Sequence, residues 1–169
     1  MPSSKPLVAL LVVVALTGCL GVEALLSPAP SVSVENRSNV TYAVTATVVH
    51  TDDPVGTLLL QLTYRAGRDS AVPYHEHAVG NDFAVPSNVT DVQVVGTERP
   101  AWETRLDPGA SNETRLTEWQ SDDVVLLTWT RVDDGTVTKV TTIPCRSAGM
   151  EYSGHVDTAS GSGGAGTTC

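Results

Sequence analysis

Apolar residues recur at every second position through much of this chain, and the intervening positions are mostly threonine, serine and acidic residues. In Val40 to His50, Tyr42, Val44, Ala46 and Val48 fall on one side and Thr41, Thr45 and Thr47 on the other. A period of two is the signature of a half-buried strand with a solvated outer face. Thr57 to Arg65 repeats it with Leu58, Leu60, Leu62 and Tyr64 inward, after a turn at Asp52-Asp53-Pro54 and Gly56. A first strand is expected near Ser31 to Glu35, and further strands at Phe83 to Val85, Val89 to Val95, Trp102 to Leu106 and Glu113 to Trp119. Asp107-Pro108-Gly109 supplies the turn between the last two. Val124 to Val132 and Thr136 to Ile143 flank Asp133-Asp134-Gly135, which reads as a hairpin.

Short strands at this spacing, with no helical period beyond Leu26, predict an all-β, antiparallel two-sheet sandwich, immunoglobulin-like or cupredoxin-like, with Trp129 filling the space between sheets. The sandwich is expected over 31–145. The Gly/Ser-rich segment 146–169 is read as a C-terminal tail.

The N-terminus breaks the pattern. Lys5 precedes an uninterrupted apolar run, Leu7 to Leu16, and Leu16-Thr17-Gly18-Cys19 has the form of a lipobox. Charge, apolar run and small residues before a cysteine are the order of a secretory signal, so 1–18 is read as a lipoprotein signal peptide, Cys19 as the lipidated residue and 19–30 as a linker. Ten apolar residues make a helix of about 15 Å, half of a bilayer's hydrocarbon core. Extending the run through Leu25 and Leu26 gives about 20 residues interrupted by Glu23, the alternative of an uncleaved anchor helix. Either places the remaining chain on the extracytoplasmic face of the cell membrane.

All 19 acidic residues follow Cys19, together with nine of the ten basic ones. Lys139 is the one lysine among those nine. Excess surface carboxylate with scarce lysine is a solubility device for concentrated salt and is similar to secreted proteins of haloarchaea. Without a cluster of basic residues, nucleic acid is not an expected partner. The segments Val34-Glu35-Asn36-Arg37-Ser38, Tyr42-Ala43-Val44 and Leu106-Asp107-Pro108-Gly109-Ala110 resemble the immunoglobulin-like modules of haloarchaeal surface lipoproteins. That resemblance implies the sandwich fold and a cell-surface location.

Four of the five asparagines stand in glycosylation sequons: Asn36, Asn39, Asn88 and Asn112. Each falls at a predicted strand end or loop, where a glycan can face solvent. With Cys19 assigned to lipid, Cys145 and Cys169 form an even pair in an oxidising compartment, and a bridge closing their loop would stabilise by about 3 kcal/mol on the chain-entropy estimate. Free thiols, an intermolecular bridge and metal ligation are the other uses open to them.

Two sets of residues carry metal-ligand chemistry. His75 and His77 would share one face of an extended segment, with Asp82 as a carboxylate partner. The glycine spacing and second half-motif of a cupin are missing, and the segment reads as a solvated loop. Cys145, Met150 and His155, with His75 or His77 upstream, would supply blue-copper ligands for a cupredoxin-like electron-transfer lipoprotein. No histidine lies between Cys145 and Met150, which departs from the cupredoxin order. Hydrolase elbows, phosphate loops and zinc helices do not occur. The expected function is therefore a lipid-anchored, outward-facing envelope module without catalysis or cofactor, meeting an envelope protein or surface glycan.

Overall fold

The computed structural model describes residues 29–51, 57–96, 98–121, 123–143 and 149–168. The readings that rest on Cys19, Cys145 and Cys169 lie outside these residues. The described chain is all-β, with antiparallel ladders dominating three sheets.

The elements run β1 (Ser31–Asn36), β2 (Tyr42–His50), β3 (Leu59–Tyr64), β4 (Asp69–Pro73), the helical turn α1 (Tyr74–His77), β5 (Ala78–Val79), β6 (Asp82–Phe83) and β7 (Val89–Val94). They continue with β8 (Glu98–Leu106), β9 (Ser111–Arg115), β10 (Asp123–Arg131), β11 (Val137–Ile143), β12 (Glu151–Val156) and β13 (Ala165–Thr168). The sheets have the orders β13-β12-β1-β9, β5-β6-β11-β10-β2-β8 and β4-β3-β7.

The six-stranded sheet is buried on both faces at its centre, and β10 shows why. Its consecutive Val124, Val125, Leu126 and Leu127 are all buried, and neighbours on a strand point to opposite sides. Val125, Leu127 and Trp129 pack with Val32, Val34, Met150, Tyr152 and Val156 of the four-stranded side. Val124 and Leu126 pack with Leu60, Leu62, Val89 and Val94 of the three-stranded side. A continuous apolar run therefore marks a strand covered twice, whereas the alternating Tyr42, Val44, Ala46 and Val48 of β2 face one cluster.

Residues 149–168, within the segment expected to be a tail, instead carry two strands that complete the first sheet. β12 pairs in parallel with β1, from Ser31 opposite Glu151 to Asn36 opposite Val156, and β13 pairs with β12. Burial explains it: Tyr152 and Val156 enter the core beside Val32 and Val34, and without β12 that edge of β1 would face solvent. Gly154 obscures the alternation in sequence. A Cβ there would stand 2.7 Å from Cε1 of Tyr152, whose ring folds over the glycine.

The sandwich has two ends. At the near end, where β1 begins, Ser31 N–H donates to Met150 O and Leu116 N–H to Pro30 O. At the far end, Asn36 N–H donates to Ala110 O, Arg37 N–H to Val156 O, and Val132 N–H to Thr41 O. Arg65 extends to the β10–β11 turn, donating to Asp134 O and Thr136 Oγ1 at 2.8 Å each. Among the described residues, no helix is long and apolar enough to cross a membrane.

Candidate functional site

The four sequon asparagines do not share one environment. Asn36 is fully buried, continuing the inward face of Val32 and Val34. Its Nδ2 donates to Val40 O at 2.8 Å and Leu106 O at 2.9 Å, and its Oδ1 accepts from Ser38 N–H at 3.0 Å and Ser38 Oγ at 2.7 Å. The Asn36-Arg37-Ser38 sequence is thus a side-chain clamp on the far-end loop. A glycan on Nδ2 would have to displace both carbonyl contacts, a demand set by a burial that the other three sequon asparagines do not share. Asn39, Asn88 and Asn112 are exposed. Asn88 takes a positive φ of 68° before β7, a conformation its short amide side chain tolerates better than most. Asn112 Nδ2 donates to Thr104 Oγ1 at 2.7 Å at the surface.

The metal sets are not assembled. His75 and His77 lie on α1 rather than on a strand. A helical separation of two positions turns their side chains roughly 200° apart, so they cannot face one ion as they would on an extended chain. The His77 ring instead stands edge-on to Phe83 at 5.5 Å. Asp82 accepts from Thr141 Oγ1 at 2.6 Å. Among the described residues no three His, Cys, Asp or Glu side chains group to hold a metal. The copper arrangement fails for a related reason. Met150 is buried in the core ahead of β12, while His155 sits towards the far end of that strand, paired with Asp157 at 3.5 Å. Five residues of extended chain separate the two by about 16 Å, which excludes a shared ion.

Among the described residues, the surface carries open depressions. A depression of about 420 Å³ covers the outer face of the four-stranded sheet, where Ser31, Ser33, Ser153 and Thr168 surround Glu113 and Glu151. The far end carries a denser charge network. Arg131 pairs with Asp133 at 3.3 Å and with Asp134, and Arg65 reaches Asp134 at 3.3 Å. Desolvation alone would push the Asp134 carboxyl up, but the Thr136 backbone N–H, then Arg131, the Thr136 hydroxyl and Arg65, hold it well below the usual carboxylate range. A depressed folded-state pKa contributes stability that is present above the unfolded value and lost as pH falls through the folded one. Between about pH 5 and pH 2, the melting temperature of Asp134→Asn should therefore fall less steeply than that of the parent protein. Parallel profiles would show that the network does not couple folding to pH.

Sequence reasoning missed the group with the most unusual surroundings. Lys139, on β11 opposite Trp129, is 5% exposed, and its Nζ has no hydrogen-bond partner. The available signal was scarcity: arginine supplies every other basic side chain after Cys19. No curated protein and no solved structure matches the chain. One family model covers it from end to end, over residues 1–169, and on that match the chain belongs to the family of halobacterial Ig domain proteins.

Proposed function

We propose that this protein is a lipid-tethered, outward-facing and non-catalytic module of the cell envelope, held to the membrane at the near end of its sandwich and glycosylated towards the far end. The observation that carries this reading is the separation of the two features. The linker Leu20 to Pro30 leads from Cys19 into the near end of β1, whereas Asn39 lies in the far-end loop and Arg65 N–H, beside the far-end turn, donates to Asn88 O. Asn112 stands opposite Val34 in the far half of β1. Glycans so placed would shield the surface facing outward and leave the membrane side unobstructed. A surface of open, serine-lined depressions fits contact with an envelope protein or a surface glycan better than enclosure of a small substrate. The pairing of Cys145 with Cys169 belongs to the same proposal, supported by their described neighbours: Ile143 and Thr168 both end strands at the near end.

Peptide mapping by mass spectrometry of protein taken from membranes tests the whole reading. Expected are a lipid on Cys19, glycans on Asn39, Asn88 and Asn112 with Asn36 bare, and Cys145 joined to Cys169 without reductant. Cys19→Ser should leave unprocessed precursor or release the protein into the medium, because the thioether needs the sulfur and two lipid chains suffice for a stable anchor. Normally lipidated protein in that variant would sink the tether.

A further inference from the structure

We propose that Lys139 and Asp82 condense to an intramolecular amide that staples β11 to β6. Lys139 Nζ lies 3.9 Å from Asp82 Oδ1, and the two strands are held in register by Thr141 opposite Asp82 and Val140 opposite Phe83. The amine is sequestered: Lys139 is 5% exposed and Nζ finds no hydrogen-bond partner. A buried ammonium with three unsatisfied donors is a costly end state. An amide removes the charge and reduces the donors to one.

The carboxyl is arranged differently. The Asp82 side chain is 48% exposed, and Thr141 Oγ1 donates to its Oδ1 at 2.6 Å. In the reaction, the ammonium first passes a proton to the Asp82 carboxylate; Nζ, now the free amine, then attacks Cγ of the resulting carboxylic acid and forms the C–N bond. Negative charge gathers on Oδ1, where the Thr141 hydroxyl already donates, as an oxyanion donor does. The C–Oδ2 bond then breaks, and Oδ2 departs on the solvent side as water, carrying its own proton and one shed by Nζ. The overall change is amine plus carboxylic acid to amide plus water, with no redox step and no co-reactant. The fixed distance replaces a bimolecular encounter with an intramolecular one. Thr141 is a positioning residue in this scheme. The β6–β11 ladder has only two paired residues per strand, as short as β5–β6, so a covalent tie would reinforce a sparsely paired edge of the sheet.

Peptide mapping of the folded full-length protein decides the matter. After reduction, trypsin should yield a branched species joining residues 69–105 to 132–146, because the Arg99–Pro100 bond resists cleavage, uncut at Lys139 and lighter by one water than its two parts. Lys139→Arg and Asp82→Ala should each abolish it, and Thr141→Val should leave a larger unlinked fraction in freshly made protein. Cyclisation of an aspartate to a succinimide also loses one water. It yields no branched peptide and survives in Lys139→Arg, so a mass deficit persisting in that variant overturns the proposal. Folded parent protein in which trypsin cleaves fully at Lys139 overturns it equally, whatever the variants do.

Discussion

Trp129→Ala should cost about 3–5 kcal/mol, the range for removing a large buried aromatic, and lower the melting temperature by roughly 10–20 °C for a domain of this size. The indole is fully buried at the centre of the larger core cluster and meets Tyr42 edge-on at 6.1 Å. Its removal leaves a void that Val44, Leu127 and Tyr42, held on paired strands, cannot refill by small shifts. With typical domain stability of about 5–15 kcal/mol, the loss is a third or more of the total. Trp129→Phe should cost much less, since Nε1 donates to nothing and its deletion strands no partner. Urea unfolding in high salt measures both. A loss below about 1 kcal/mol for the alanine variant would mean that the core closes over the gap.

Asn36→Ala should be nearly as damaging, at about 2–4 kcal/mol, because it takes the Nδ2 donor from buried Leu106 O and part-buried Val40 O and removes the acceptor for Ser38. Asn36→Asp separates this role from glycosylation. A carboxylate has the same shape but cannot donate to Val40 O and Leu106 O, which lie at 2.8 and 2.9 Å from Nδ2. The aspartate should therefore destabilise at least as much as alanine. A stable Asn36→Asp variant, with a lost glycan as its main consequence, would restore Asn36 as an acceptor site.

That contrast shows what the sequence could reveal. Alternation located β2 and β3 within a few residues, because strands covered on one face write their environment at a period of two, and the turn Asp133-Asp134-Gly135 located β10 and β11 on either side of it. The same rule, carried one step further from Val32 and Val34, puts Asn36 inward; the sequon drew attention from the position's place in the strand. β4 carries Asp69 and Ser70, with no residue fully buried, so it left no apolar trace. The turn α1 was legible in neither period, since four residues cannot display one. β12 was masked by Gly154, whose inward position is filled by the ring of Tyr152 rather than by a side chain of its own. Lys139 was hidden by a general truth: lysine usually marks a surface, and its burial depends on a strand pairing that connects residues far apart in the chain.

The pairing of β1 with β12 also sets a timetable. Each residue of β1 waits for a partner about 120 positions later, and contacts so distant carry the largest loop-closure cost and the slowest assembly. As the chain emerges from its N-terminus, β1 is the first of the described strands available and among the last to be secured. Until Glu151 to Val156 arrive, its edge stands open to any other extended segment, including the same strand of a neighbouring copy. A chain cut short before Glu151 would carry that open edge permanently, which makes translation to the last strands a condition for staying unaggregated.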